Sequence, residues 1–188
     1  MASRRDRTFL VGNFKPTEQP ALNCFRDLVR TAYAVEVTPR VGGLIELLWG
    51  PMFRDLDLHL FMRRRISSSL KFQDTHIGFK ATDGSANEEP WVQWSGDTQA
   101  SPPGMEQMTF FRWLDAEYDV LVHDYSGIPG FPIGEVSVRI VLPSGEGERL
   151  FTARGEIGRW WHVCRIQGLS GRIEEINRVS PECPYSVA

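Results

Sequence analysis

The sequence predicts an all-β fold, an antiparallel β-sandwich of about eight strands with jelly-roll or Greek-key-like connections, preceded by an N-terminal arm. Two observations predict it. From Gly43 onward, apolar runs of about five to nine residues recur between Gly, Pro, Asp or Ser residues, as in short strands joined by turns. Within several runs apolar and polar residues alternate, which is typical of a strand with one buried face. The 188 residues, 41% of them hydrophobic, are enough for one domain with its own core.

The first part of the chain lacks this alternation and is interpreted as an arm. Apolar side chains in residues 21–30 are spaced like one face of a short helix. Near the other end, the segment "RIEEINRV" (172–179) could also be helical, because Ile173 and Ile176 are three residues apart. The predicted regions are an arm (1–42), a β-sandwich domain (43–178) and a C-terminal tail (179–188).

The strands are predicted from the apolar runs in chain order. These runs are GLIELLWG, DLDLHLFM, LKFQDTHIGFKA, EEPWVQWSGD, EQMTFFRWL, EYDVLVHDYSG, GEVSVRIVLPSG, ERLFTARG and RWWHVCRIQG. The residues expected to point inward are Leu56, Leu58, Leu60, Tyr118, Val120, Val122, Val136, Val138, Ile140 and Leu142. The tryptophans expected to fill the space between the sheets are Trp49, Trp113 and Trp161.

Composition and charge argue against several classes of partner. The formal net charge of -3 gives no general attraction to nucleic acid or to an anionic membrane. No run approaches the roughly 18 apolar residues of a membrane span, and the N-terminal apolar run is too short for a signal-peptide core. The 3 cysteines are widely spaced, which indicates reduced thiols. A cytoplasmic location is predicted, with a mature fragment of an exported protein as the alternative.

The segment "RDLDLHLFM" (54–62) contains the most concentrated candidate chemistry. On a strand, Leu56, Leu58 and Leu60 share one face, and Asp57 and His59 the other, which is expected to meet water or an ion. One interpretation is a calcium site, because Ca²⁺ takes about six to eight oxygen ligands and loop carbonyls could complete a set of carboxylates. The carboxylate ligands of that site would be Asp55, Asp57, Asp119 and Asp124.

Two other interpretations of this segment stay open. In the first, the polar residues are structural, so that Asp55 caps a turn while Asp57 and His59 pair with Arg139 or His123. In the second, Asp57, His59 and His123 form the centre of a metal-dependent hydrolase. The sequence has no Gly-x-Ser-x-Gly nucleophile motif and no phosphate-binding loop that would support another class of enzyme.

Two further groups are candidate binding surfaces. Arg63, Arg64 and Arg65 end a predicted strand, where they could contact an anion or simply keep a strand edge soluble. The second group consists of tryptophans expected near the surface, which could stack on a sugar or contact a protein. These tryptophans are Trp91, Trp94 and Trp160.

The order of these motifs resembles that of the YfaP-like domains. The resemblance is carried by "LIELLWGPMFRDLDLHL", "PPGMEQMTFFRWLDAEYDVLVHDYSG" and "WWHVCRIQGLSGRIEEIN", and covers roughly residues 43 to 178. It implies a small β-sandwich domain of a family whose function is largely unknown. The chain is less similar to TerD-like stress proteins, in which a Phe-Asp-Leu-Asp strand follows an apolar strand. That resemblance implies calcium binding, although Arg54 here separates Phe53 from Asp55.

The function predicted from these observations is a non-enzymatic binding or assembly module. It would act through the exposed aromatic surface and the arm, on a protein partner or on a second copy of the chain, and a structural calcium ion could stabilise it. A carbohydrate-binding module is the first alternative, and the metal-dependent hydrolase is the second. No nucleic acid and no membrane span are expected.

Overall fold

The chain folds into ten strands in two sheets. The computed structural model describes residues 42–65, 72–98, 103–127, 130–142 and 147–185. The strands are β1 (Gly43–Trp49), β2 (Leu56–Arg65), β3 (Phe72–Ile77), β4 (Val92–Trp94), β5 (Gly104–Phe110), β6 (Ala116–Asp124), β7 (Val136–Val141), β8 (Glu148–Thr152), β9 (Trp160–Gln167) and β10 (Arg172–Ser180). The predicted arm and its short helix lie outside the described residues.

Each sheet contains five antiparallel strands. The first has the order β4-β5-β1-β7-β8, and the second has the order β10-β9-β6-β2-β3. The predicted all-β sandwich is therefore confirmed. Among the described residues no helix is long and apolar enough to cross a bilayer.

The C-terminal segment is a strand, so the prediction that it could be helical is wrong. β10 pairs with β9 along most of its length, and the register shifts between Glu175 and Arg178. Asn177, inside this irregularity, has a positive φ of 45°. Ile173 enters the core, whereas Ile176 does not. Their three-residue spacing resembles a helix only because the bulge interrupts the alternation of the strand.

The core lies between the inner faces of the two sheets. The inward rows predicted on β2, β6 and β7 are confirmed, since every residue named for them is buried. Trp49 and Trp161 are buried as expected. Trp113 is only partly buried, because it lies at the rim of the core, where its ring stacks 3.9 Å from the ring of Phe110.

The outer face of the second sheet is also buried along β2, which contradicts the expectation that its polar row meets water. Asp57 is 1% exposed and His59 is 4% exposed. β2 is flanked by β6 and β3, so its neighbours supply side chains on both sides. The Trp160 ring lies 5.0 Å from the His59 ring, and the His76 ring lies at the same distance. Large aromatic side chains from neighbouring strands thus shield this row.

A buried carboxyl group joins the two sheets. Glu106 of β5 accepts hydrogen bonds from the backbone N–H of Leu58 on β2, at 2.8 Å, and from the indole N–H of Trp94, at 3.0 Å. Burial raises the pKa of Glu106 to about 8, against the hydrogen bonds, which lower it. Glu106 is therefore largely protonated at neutral pH.

Candidate metal centre

Strand pairing brings three ligand-type side chains together on the outer face of the second sheet. Asp57 on β2 lies directly opposite His123 on β6, and His59 follows two residues later on the same face. One ligand atom of each of these three residues lies within 4.8 Å of the other two. A tetrahedral ion with bonds of about 2.1 Å holds its ligand atoms about 3.4 Å apart. Side-chain movements of about 1 Å would therefore close this set around an ion.

Two side chains of the set each have a buried atom without a hydrogen-bond partner. These atoms are Oδ2 of Asp57 and Nε2 of His59. Asp57 Oδ2 lies 3.5 Å from His123 Nδ1 but accepts no hydrogen bond from it. A buried polar atom without a partner destabilises a fold by about 1–3 kcal/mol. Such atoms are usually completed by a partner, which is either an ordered water molecule or a bound ion.

His59 is held in the neutral form that a metal ligand requires. Burial lowers its pKa to about 3, with His76 and His123 acting in the same direction. Nδ1 of His59 lies 2.9 Å from Nε2 of His76. When Nδ1 donates this hydrogen bond, Nε2 keeps its lone pair for a metal.

A glycine allows the backbone to approach His59 closely. A Cβ atom on Gly78 would lie 2.9 Å from Nδ1 of His59 and 2.6 Å from the carbonyl oxygen of Leu58, and Gly78 has a φ of +132°. Only glycine combines this backbone conformation with so close a contact. The turn after β3 thus holds the His59 ring in place.

Two further carboxylates lie next to Asp57. One oxygen of each of Asp55, Asp57 and Asp97 lies within 4.8 Å of the others. The pKa of Asp55 is raised to about 6, mainly by burial and also by the negative charges of Asp57 and Asp97. Oδ1 of Asp55 is also buried without a hydrogen-bond partner.

The other two carboxylates predicted as calcium ligands, Asp119 and Asp124, belong to neither group of candidate ligands found among the described residues. Asp119 accepts hydrogen bonds from His162 at 2.8 Å and from Arg165 at 3.0 Å. Burial alone would raise the pKa of Asp119, but these hydrogen bonds lower it. Asp124 belongs to the inner row of β6, opposite Leu56, and its Oδ1 accepts the N–H of Ser126.

Two of the three predicted surface arginines are neutralised by neighbouring acids. Arg63 pairs with Asp74 on β3 at 3.2 Å, and Arg64 pairs with Glu89. Arg65 is exposed at the end of β2. Because the acids accompany the arginines, the structure gives no support to a binding surface for a large polyanion.

The three predicted surface tryptophans do not form one platform. Trp94 is 7% exposed, so the expectation that it is exposed is wrong. Its indole N–H donates a hydrogen bond to the buried Glu106. Trp91 is half-buried, with the Arg112 guanidinium 5.9 Å from its ring. Trp160 is half-buried too, and its ring stacks 4.3 Å from the ring of His123. Trp160 therefore covers the group formed by Asp57, His59 and His123.

A surface cavity lies beside the cluster. Its volume is about 650 Å³, which is within the range of small-molecule sites, about 300–1,000 Å³. His76, which contacts His59, lines it together with Phe61, and the Tyr185 ring stacks on Phe61 at 4.8 Å. The cavity also carries Arg165 in its wall. A small polar molecule could thus approach the histidines from this side.

Sequence patterns did not identify every residue of this site. His76 was not predicted as a site residue and Trp160 was predicted only as a surface binding residue, because their positions beside the cluster depend on β3 and β9 lying on either side of the β2–β6 pair. A signal for His76 existed in the β2–β3 hairpin, whose register places it opposite Phe61, next to the row of His59. The contact of Trp160 with His123 had no such signal, because the two residues are distant in sequence.

The chain was also compared with known proteins. No protein family, curated protein or solved structure matches it. The resemblances to YfaP-like and TerD-like proteins therefore remain predictions from sequence motifs.

Proposed function

We propose that this protein binds a divalent transition-metal ion through Asp57, His59 and His123. The observation that carries the proposal is that Asp57 Oδ2 and His59 Nε2 are both buried without a hydrogen-bond partner, on side chains that form a close group with His123, in which the ligand atoms lie within 4.8 Å of one another. Two imidazoles and one carboxylate form a ligand set that Zn²⁺ and Fe²⁺ both use. Because imidazole is a poor ligand for calcium, the group that contains His59 and His123 does not favour the predicted calcium ion.

Three protein ligands leave a coordination position open. Structural zinc sites are usually closed by four protein ligands, whereas catalytic ones keep a position for water or substrate. An ion in such a site lowers the pKa of its bound water and so supplies hydroxide at neutral pH. The cavity that His76 lines lies beside the cluster, although none of the three proposed ligands lines it. This arrangement supports the metal-dependent hydrolase more than the carbohydrate-binding module.

Metal titration tests the proposal. Untagged protein, first treated with chelator, should bind one equivalent of Zn²⁺ or Co²⁺, and its melting temperature should rise because the ion binds only the native state. Bound Co²⁺ should show the visible absorption of a four- or five-coordinate site. The variants Asp57→Asn, His59→Gln and His123→Gln should each weaken binding at least tenfold.

The structure offers a matched control for these variants. His162 lies on the same face of the same sheet and contacts a carboxylate, Asp119, but the cluster does not include it. His162→Gln should leave Zn²⁺ affinity within about twofold of wild type. Equal losses in His162→Gln and His59→Gln, or no Zn²⁺ bound by the wild type, would refute the proposal.

Assembly with a protein partner, the function predicted first from the sequence, is a second candidate. One observation favours it: Ile133 is 67% exposed and Ile157 is 82% exposed, on loops that a hydrogen bond from Phe131 N–H to the Glu156 carbonyl holds together. Exposed apolar side chains that are grouped in this way are typical of contact surfaces.

Sedimentation of the full chain tests the assembly candidate. If the wild type self-associates, the double variant Ile133→Ser, Ile157→Ser should shift it to the monomer. Leu169→Ser, which changes a side chain that is 70% exposed on another loop, should not. A wild type that stays monomeric at millimolar concentration removes self-association from the candidates.

A further inference from the structure

Asp57 belongs to two ligand groups of different chemistry. With His59 and His123 it forms the transition-metal set, and with Asp55 and Asp97 it forms a set of carboxylates only. The ligand atoms of the second set lie within 4.8 Å of one another, as those of the first do. The side chain of Asp57 has two oxygens, and a carboxylate can bind one ion through each.

A cluster of acids alone does not identify a site, but here the shared residue is buried. Asp57 is 1% exposed, and its Oδ2 has no hydrogen-bond partner. Oδ1 of Asp55 is unpartnered in the same way. Neither Asp55 nor Asp57 forms an ion pair with a lysine or arginine within the part of the chain that the structure describes. Lys80 interacts with the charge of Asp57 only over a longer distance, so no direct ion pair compensates the repulsion between Asp55 and Asp57.

We propose that Asp55, Asp57 and Asp97 hold a second, hard divalent cation, and that Asp57 bridges it to the transition-metal ion. Oxygen-only ligand sets select Ca²⁺, Mg²⁺ or Mn²⁺, whereas imidazole favours Zn²⁺ and Fe²⁺, so each ion has its own preferred side. Asp97 is exposed, which leaves space for water molecules to complete the coordination of a hard ion. Only the bridging role of Asp57 rests on the proposed function.

Binding of Mn²⁺ to the Zn²⁺-loaded full chain tests this inference. Wild-type protein should bind one equivalent of Mn²⁺ in addition to one of Zn²⁺, detected by loss of the free Mn²⁺ signal in electron paramagnetic resonance. Asp55→Asn and Asp97→Asn should each weaken Mn²⁺ binding at least tenfold and leave Zn²⁺ binding within about threefold. His59→Gln should do the reverse, and Asp57→Asn should weaken both.

The controls separate this inference from the proposed function. Asp83→Asn, at an exposed aspartate outside both groups, should change neither affinity. If Zn²⁺ does not bind but Mn²⁺ binds and requires Asp55, the proposed function fails while the carboxylate site stands. If Zn²⁺ binds but no Mn²⁺ binds up to about 1 mM, the weak end of calcium-type sites, the second site is refuted. Mn²⁺ binding that Asp55→Asn leaves unchanged refutes it as well.

Discussion

At the residue scale, the buried polar side chains differ in whether their hydrogen bonds are satisfied. Asp119 is buried but accepts hydrogen bonds from His162 and Arg165, so it is a structural ion-pair residue. Asp57, on the neighbouring strand of the same sheet, is buried as deeply and has an oxygen without a partner. Both residues are aspartates in strands, so the sequence alone does not distinguish them. Only the side chains on the surrounding strands separate the structural carboxylate from the candidate ligand.

Tyrosine hydroxyls allow a prediction at this scale. Tyr118 is buried, and its hydroxyl oxygen accepts the backbone N–H of Leu114 at 3.0 Å. Tyr118→Phe should lower the free energy of unfolding by about 1–3 kcal/mol, because the N–H of Leu114 then loses its partner in the interior. Urea denaturation measures the loss.

The matched control is Tyr125→Phe, since the Tyr125 hydroxyl contacts the exposed Lys80 at the surface. That change should stay within about 0.5 kcal/mol of wild type. Equal effects of the two substitutions would show that the buried hydroxyl makes no special contribution.

At the element scale, β2 shows how far the sequence determines the fold. The alternation of leucines predicts the inner face of β2 correctly, because a period of two depends only on the strand itself. The burial of Asp57 and His59 on its outer face could not be predicted in this way. That burial depends on the order of β9, β6 and β3 around β2, which is set by distant contacts. β10 illustrates the same limit, since its bulge hides its alternation.

The inner row of β2 also permits a quantitative prediction. Leu58 is fully buried on β2, an inner strand of the second sheet, so Leu58→Ala removes apolar contacts and leaves a cavity. The free energy of unfolding should fall by about 2–5 kcal/mol. Leu169→Ala, at a side chain that is 70% exposed, should cost less than about 0.5 kcal/mol. Chemical denaturation in the presence of chelator measures both, so that metal binding does not contribute. A loss below about 1 kcal/mol for Leu58→Ala would contradict the assigned inner face.

At the scale of the whole molecule, the two sheets are joined by apolar packing, by a buried acid and, between β8 and β10, by polar contacts such as that of Arg149 with the Ile173 carbonyl. Glu106 of the first sheet accepts a hydrogen bond from the backbone of Leu58 in the second. Leu58 lies between Asp57 and His59 in the sequence, and both are candidate metal ligands. The contact that joins the sheets therefore also supports the candidate metal centre. The sequence predicted the sandwich from local alternation. It did not predict this link, because a glutamate in a strand is ordinarily expected at the surface.

The protonation of Glu106 should make the stability of the whole fold depend on pH. Its ordinary pKa is 4.5 and its folded-state pKa is raised to about 8, so between these values the folded state binds a proton that the unfolded state does not. Stability is therefore expected to fall as pH rises through this window. His59 acts in the opposite sense below pH 6.5, where its lowered pKa makes the unfolded state bind the extra proton. The interval from about pH 6.5 to 8 thus isolates the effect of Glu106.

Across that interval, and with chelator present, the wild type should lose up to about 2 kcal/mol of unfolding free energy, since one proton corresponds to at most about 1.4 kcal/mol per pH unit. Glu106→Gln removes the titrating group and keeps an oxygen for the N–H groups of Leu58 and Trp94. This variant should show no comparable slope between pH 6.5 and 8, although it should be less stable than the wild type at the acidic end, because its amide cannot accept the N–H of Thr98.

Urea denaturation at several pH values in this interval gives both slopes. If the unfolding free energy of Glu106→Gln falls with pH as steeply as that of the wild type, another group causes the pH dependence. Glu106 would then already be ionised between the sheets throughout this interval.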